Sequence, residues 1–366
     1  MRIVFDARYT RIDHHDGISR YTANLVAELA KLHPVTMLIS DHRQLAMLPD
    51  LPWQIVSAPT SALEPLVARA VNKLRPDIVF TPMQTMGSWG RRYALLLTVH
   101  DLIYYRNRTP PRDLAAPIRL LWRLYHLAWW PQRMLLNRAD GVVTVSNTTA
   151  ALIAEHDLTR KPVTVVSNAA APLPATADDA DGAVPQREAP DVRRLVYMGS
   201  YMPYKNVDTL VRAAAMLPGT ELHLMSRVTD AERTRLQRLA PSAVLVFHDG
   251  ASDAEYAETL RSATALVTAS RDEGFGIPLV EAMSVGTPIV VSDIPIFREI
   301  GGDAALYFDV DDAQALAAAV TRLDDLEEWQ RRSALGLERA ATFTWAASAR
   351  TLLGVLEETV ARRRRR

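Results

Sequence analysis

Two glutamates, Glu273 and Glu281, bracket two glycines in the stretch Ser270–Glu281, which reads SRDEGFGIPLVE. The run before it, ATALVTAS, is apolar and predicts a strand that ends at Ser270. Gly274 and Gly276 let the backbone come close to a ligand. Pro278 suits the first turn of a helix, where a missing N–H costs little. The start of that helix offers N–H donors and the positive end of a dipole. Carboxylates that accept and amides that donate, side by side, suit a polyhydroxyl ligand such as a sugar. A loop with solvated acids has the same local sequence, so the motif alone does not decide.

Other residue types remove whole classes of chemistry. The chain has 366 residues and no cysteine, which excludes disulfides, thiolate metal sites, iron–sulfur clusters and cysteine nucleophiles. His14, His15 and Asp16 precede Gly17 with no further ligand at metal-motif spacing. Asp309 and Asp311 spell D-x-D near a helix start, where N-capping is the simpler role. No metal and no cofactor is expected. GFGIPL lacks the third glycine of the dinucleotide fingerprint, and no P-loop lysine motif occurs. Basic and acidic residues balance at 42 each, so no nucleic-acid partner is expected. The opening MRIVFDARYT has no signal-peptide architecture. No apolar run reaches the ~18 residues of a spanning helix. The expectation is a cytoplasmic protein.

The elements that must hold these residues alternate. Strand candidates are Arg2–Ala7, Val35–Ser40, Gln54–Ala58, Asp77–Thr81, Ala94–Leu102, Gly141–Ser146 and Pro162–Asn168. Helix candidates among them are Ile18–Leu32, Ala62–Leu74, Asp113–Asn137 and Thr148–His156. Continuously apolar strands are buried on both faces, as in parallel sheets flanked by helices. Residues 169–191 are rich in Pro, Ala and Asp and read as a linker. A second cycle follows, from Leu195–Ser200 to Ala305–Asp309, and then helices Ala313–Leu335 and Trp345–Arg362. The implied class is α/β: a domain at 1–168, a linker at 169–191, a domain at 192–343, and a helix with a basic tail at 344–366. Ligands of such sheets bind outside the carboxyl ends of the strands. The cleft between two such domains is then the expected site.

The run EGFGIPLVEAMSVGTPIVVSDIPIFREIGGDAALYFD, Glu273–Asp309, resembles the second-domain signature of the family 4 (group 1) glycosyltransferases. GISRY at Gly17–Tyr21, His100–Asp101, ADGVVTVS at Ala139–Ser146, YMGSYMPYKN at Tyr197–Asn206 and TFTWAASARTLL at Thr342–Leu353 match in register. The resemblance implies the GT-B fold: two doubly wound, Rossmann-like domains facing each other across a cleft, with the final helix crossing back to the first. It implies a retaining hexosyltransferase that needs a nucleotide sugar and no metal. It gives Glu281 the ribose hydroxyls, and Glu273 the donor sugar together with the amides of Phe275, Gly276 and Ile277. Lys205 neutralises the diphosphate, Gly17 and Ser200 border it, and His100 hydrogen-bonds the sugar near the reacting carbon. Many relatives carry an arginine beside the lysine. This chain has Ser200 and Tyr204 at those places, and Arg271, Arg20 and Arg8 are candidates for the second cation.

GISRY, the Gly199–Asn206 loop and REIGGDAA at Arg298–Ala305 are together similar to bacterial mannosyltransferases. GDP-mannose is therefore the expected donor and a UDP-hexose the alternative. The expected acceptor is a glycan or lipid-linked acceptor in cell-envelope polysaccharide or glycolipid synthesis. A nucleotide-sugar 2-epimerase shares the architecture but not the signature. A degenerate, non-catalytic subunit is the other alternative.

One segment stands outside this scheme. On a helical wheel of Asp113–Trp130, Arg119, Arg123 and His126 form a stripe flanked by leucines on one side and by Trp122, Tyr125 and Trp129 on the other. This suits an in-plane helix on the inner face of the cell membrane, contacting it through Trp122, Arg119, Arg123 and Trp129. A helix buried against the first sheet, or a dimer contact, fits the same pattern. Pro131 is expected to end or kink the helix after Trp130. Arg362–Arg366 adds charge that an anionic leaflet would attract, at about 1 kcal/mol per residue, or is a solvated tail.

Overall fold

Short apolar runs become parallel strands, fully buried at the centre of each sheet. The computed structural model describes residues 1–13, 16–110, 116–171, 173–174 and 192–365. These divide into two units, Met1–Asn168 with Thr344–Arg366, and Ala169–Phe343. The proposed linker lies outside the described residues except at 169–171 and 173–174.

The first unit holds β1 (Ile3–Asp6), α1 (Gly17–Leu32), β2 (Val35–Ile39), β3 (Trp53–Ile55), α2 (Val67–Val71), β4 (Ile78–Thr81), β5 (Ala94–Val99), α3 (Ile103–Arg106), α4 (Ala116–Tyr125), α5 (Trp130–Asn137), β6 (Gly141–Thr144), α6 (Asn147–Glu155) and β7 (Val163–Val165). Its strands are parallel in the order β3-β2-β1-β4-β5-β6-β7. Every residue of β1, β4, β5 and β6 is buried. The strand order reverses between β1 and β4, and in such sheets the ligand crevice lies at that switch point.

The second unit repeats the plan. It holds β8 (Arg193–Tyr197), α7 (Val207–Ala215), β9 (Thr220–Leu224), α8 (Asp230–Leu239), β10 (Val244–Phe247), α9 (Asp253–Arg261), β11 (Ala265–Thr268), α10 (Ile277–Ser284), β12 (Ile289–Ser292), α11 (Pro295–Gly301), β13 (Leu306–Phe308), α12 (Ala313–Thr321) and α13 (Leu326–Ala340). Its parallel order is β10-β9-β8-β11-β12-β13, so the switch point lies between β8 and β11. The chain then returns to the first unit as α14 (Trp345–Arg364). There Trp345 meets Tyr21 of α1 edge-on at 5.8 Å, and Ser348 Oγ donates to Ser167 O at 2.7 Å.

Several helix expectations are corrected. Ala62–Leu74 is helical only at Val67–Val71, between 3₁₀ turns. Pro65 has no N–H to extend a helix backwards. The expected helix Asp113–Asn137 is two, α4 and α5, broken at residues 126–129. Pro131 does not end a helix; it sits in the first turn of α5, and in a continuous helix its ring would strike the carbonyl four residues back. Ala313–Leu335 also splits, because the Asp325 side chain accepts from Glu327 N and caps α13. Helix α11 was not anticipated; Pro295 lies in its first turn.

Candidate active site

At the switch point of the second unit two loops meet, one after β8 and one after β11. The β8 loop carries Ser200 and Lys205. Tyr197, at the end of β8, donates its hydroxyl to Ser200 O at 2.7 Å. Burial, with Glu273 adding to it, pushes the Tyr197 phenol well above its ordinary pKa, so it stays a neutral donor. Asn206 follows Lys205 in a left-handed conformation with φ 52°. It is held there by Nδ2 donating to Val310 O at 2.7 Å and Oδ1 accepting from Thr209 Oγ1 at 3.1 Å. Strain of this kind persists only where the surroundings over-determine it. Here it sets the exit direction of the Lys205 turn.

The β11 loop carries Glu273. Its Oε1 accepts from Lys205 Nζ and, at 3.0 Å, from Ser270 Oγ. Ser270 is backed by Thr268 Oγ1 at 3.2 Å and by Ser292 Oγ, which donates to Ser270 O at 2.5 Å. Arg271 N donates to Tyr204 O at 2.8 Å, a second tie between the loops. Both side chains of the Lys205–Glu273 pair are largely shielded from water, so their attraction is weakly screened.

Helix α10 begins directly after this loop. Gly276 is its N-cap, with φ 96°, and a Cβ there would lie 3.2 Å from Phe297 Cε1. Conformation and packing both demand glycine. Pro278 occupies the first turn. The Phe275 side chain is buried edge-on against Phe343 at 5.5 Å, which leaves only its backbone for a ligand. Ile277 opens the helix, and Glu281 is buried on it, in the turn that follows.

In the first unit, Gly17 is the first residue of α1 rather than a loop residue. The Asp16 side chain caps that helix, accepting from Ser19 N at 2.8 Å. Burial works against the Asp16 charge, but Ser19 and Arg11 outweigh it and lower its pKa. A Cβ on Gly17 would meet nothing within 4 Å, and its φ lies outside the left-handed region. The fold therefore gives no reason for glycine at this position. His100 follows β5 and packs edge-on against Tyr21 at 4.9 Å. Its Nε2 lies 2.7 Å from Pro82 O. A carbonyl only accepts, so Nε2 carries the proton and Nδ1 presents a lone pair. Burial lowers the His100 pKa and favours this neutral form, although Pro82 O and the nearby Asp101 pull the other way.

The candidates for a second cation separate clearly. Arg8 is buried between Asp6 at 2.8 Å and Glu64 at 2.6 Å. Burial opposes its charge, yet these carboxylates raise its pKa. Both of its carboxylate partners belong to the first unit. Arg271 pairs with Asp311 on the surface at 2.5 Å. Arg20 is on α1 and partly exposed. Asp309 and Asp311 do not cap α12; Asp312 does, accepting from Ala315 N at 2.8 Å. His14 and His15 lie outside the described residues. Among the described residues no group of three His, Asp or Glu side chains could hold a metal.

The expected membrane tryptophans turn inward. Trp122 meets Tyr104 at 5.0 Å, and Trp129 stacks between Tyr105 at 3.9 Å and His156 at 4.1 Å. Arg119 is partly exposed and Arg123 exposed on α4. Arg362 is on α14, where the neighbouring Arg363 and Arg364 bond Asp140 and Asp77.

Ser270 and Asp16 were missed as site residues. Asp-x-x-Ser ahead of an amphipathic run could have flagged Asp16; nothing local marks Ser270.

Comparison with known proteins agrees with the two-unit plan. The family model described as Glycosyltransferase Family 4 matches residues 15–171, and that described as Glycosyl transferases group 1 matches residues 183–336. The O-antigen chain mannosyltransferase RfbU of Salmonella typhimurium is 23% identical over 85% of this chain and 88% of its own. The phosphatidyl-myo-inositol mannosyltransferase of Mycolicibacterium smegmatis is 33% identical, but over only 45% of each chain. Among solved structures, sucrose-phosphate synthase of Thermosynechococcus elongatus aligns with a TM-score of 0.72 at 21% identity, covering 98% of this chain and 99% of that one. Anabaena HepE, in complex with UDP and glucose, aligns with a TM-score of 0.70 at 18% identity, covering 98% and 100%. These neighbours share the GT-B fold. With one family model on each unit, the chain belongs to the group 1 glycosyl transferases of family 4.

Proposed function

We propose that this glycosyltransferase moves a hexose, with retention of anomeric configuration, from a nucleotide sugar to a glycan or lipid-linked acceptor. The observation that carries the reading is the Lys205–Glu273 pair joining the two switch-point loops, with Glu281 buried on the helix that follows.

A departing nucleoside diphosphate gains negative charge on its β-phosphate. A fixed ammonium and helix-start amides stabilise that charge most in the transition state. Lys205 is held in place by Glu273 before any donor arrives, so little reorganisation remains. Glu273 also accepts from donor-sugar hydroxyls, and Glu281 from the ribose. In the first unit, His100 Nδ1 accepts from a sugar hydroxyl, and the missing side chain of Gly17 admits a phosphate. None of these steps calls for a metal.

GDP-mannose is the donor this reading favours, because relatives named as mannosyltransferases include RfbU and the mycobacterial enzyme. Their names also support a role in O-antigen or glycolipid assembly. A UDP-hexose is the second reading, favoured by the UDP and glucose named with HepE. Calorimetry with GDP and UDP separates them. A guanine site leaves buried polar groups unpaired when uracil enters, so GDP should bind tighter. Tighter UDP binding would replace mannose with a UDP-hexose. NMR of the product tests retention: an inverted anomer would refute it.

A further inference from the structure

Four side chains at the β9–β10 edge of the second sheet form one hydrogen-bonded row. His223 Nε2 lies 3.1 Å from Glu221 Oε2, His223 Nδ1 lies 2.9 Å from His248 Nε2, and His248 Nδ1 lies 2.6 Å from Glu255 Oε1. Local structure puts them there. Glu221 and His223 alternate with Leu222 on β9 and so share a face of the sheet. His248 follows β10, which runs parallel to β9. Glu255 lies in the first turn of α9, where its N–H donates to Ser252 Oγ at 3.2 Å.

The protons in this row can be counted. A carboxylate only accepts, so each ring must turn an N–H toward its glutamate. The nitrogens left over, His223 Nδ1 and His248 Nε2, face each other, and one proton must lie between them. Two neutral imidazoles carry one proton too few for this row. Burial lowers the His223 pKa, Arg194 of β8 and the His248 ring add to it, and Glu221 pulls the other way. The extra proton therefore sits on His248, which donates to Glu255 through one nitrogen and to His223 through the other. The short contact with Glu255 is that of a charge-assisted bond. Arg233 of α8 lies over the ring of the preceding Phe247, at 4.7 Å.

The row ties down backbone that the candidate site uses. His248 N donates to Leu224 O at 3.0 Å, and Gly250 N and Ala251 N donate to Met225 O at 3.2 and 3.0 Å. Between them Asp249 is left-handed, with φ 55°, a strain that its surroundings must hold. Ser226 comes next on the β9 side. Its Oγ accepts from Gly199 N at 3.2 Å and its carbonyl accepts from the Tyr201 hydroxyl at 3.3 Å. Gly199 and Tyr201 belong to the β8 loop, which carries Lys205.

We propose that His223 and His248 are positioning residues: the proton they share closes the loops after β9 and β10 and, through Ser226, holds the Lys205 loop in its nucleotide-binding form. Loss of that proton leaves two lone pairs facing each other, and a second proton leaves two N–H groups facing each other. Either change parts the rings, so nucleotide affinity peaks between the two titrations of the pair. The positioning role rests on the nucleotide reading of the Lys205 loop; the shared proton does not.

Two measurements separate these parts. Nitrogen NMR of isotope-labelled histidines in the free chain, at about pH 6.5, reads the protons directly. His223 should be neutral with its proton on Nε2, and His248 should be protonated at both nitrogens, with His223→Gln and His248→Gln assigning the signals. Two neutral rings would overturn the proposal. Calorimetry with GDP and with UDP reads the positioning. From about pH 6.5 to about pH 8.5 the parent chain should lose about fivefold or more in affinity for the tighter nucleotide. His248→Gln has no proton to lose there and should flatten that fall. Glu255→Gln removes the anion that holds the proton and should move the fall to lower pH. A parent profile shared by both variants would overturn the positioning role. No nucleotide binding by the parent at any pH, with the expected NMR signals, would refute the nucleotide reading and the positioning role with it, and leave the shared proton standing.

Discussion

Lys205 and Glu273 stand 68 residues apart in the chain and form an ion pair where the loops after β8 and β11 meet. The pair exists because the strand order puts β8 beside β11. It holds the ammonium beside the start of α10, whose Gly276 cap admits only glycine.

Removing either end of this arrangement should have a distinct kinetic signature. Lys205→Ala should lower kcat about 10²–10³-fold, because the charge it opposes peaks in the transition state. Glu281→Ala should instead weaken nucleotide binding by ~1.5–3 kcal/mol, the worth of a hydrogen bond to a charged acceptor. Steady-state kinetics and calorimetry on both variants read the difference. Near-parental values for both would remove the site assignment.

The two helix-start glycines should part company. Gly276→Ala forces a Cβ onto a positive φ and toward Phe297, and should destabilise by about 1–2 kcal/mol. Gly17→Ala meets open space and should leave the melting temperature unchanged or higher. Its cost should appear as about tenfold weaker donor binding. Thermal melts with and without nucleotide sugar make the comparison, and full donor affinity in Gly17→Ala would contradict the proposed phosphate approach.

Arg8→Ala should be a folding defect. It leaves Asp6, which is fully buried, without its cation, a loss of about 3–5 kcal/mol for a broken buried pair. Denaturant unfolding should show that loss, while the folded fraction keeps its nucleotide affinity. A stable variant with impaired nucleotide binding would return Arg8 to the phosphate site.

His100 predicts the sign of a pH effect. Its pKa is lowered from 6.5 in the folded chain, so the unfolded chain takes up the proton first as pH falls. The stability tied to neutral His100 is present above about 6.5 and is lost as pH drops from there through the lower, folded value. Melts across that window should steepen for the parent chain and flatten for His100→Asn. Equal slopes would place the titration elsewhere.

The strands were legible because a parallel sheet buries both faces, and runs such as ALLLTV at Ala94–Val99 have no polar alternation to confuse. The motif residues around Gly276 were legible because glycine, proline and carboxylate at close spacing report local geometry. What could not be read was set by distant partners. Arg8 looked available for phosphate until Glu64, 56 residues on, supplied its second carboxylate. On α4 the wheel showed an aromatic side and a leucine side; Tyr104 and Tyr105, on another element, decided which turned inward. Pro131 announced a break near Trp130; its place, at residues 126–129, was visible only in the structure.

The return of α14 to the first unit has a consequence for synthesis. A ribosome that has made Met1–Asn168 has synthesised all seven strands of the first sheet but not the helix that covers Tyr21. The nascent chain must carry that bare apolar flank, open to chaperones, while Ala169–Phe343 is translated. The second unit, contiguous in sequence, can close as soon as it emerges. The unit that begins first therefore finishes second.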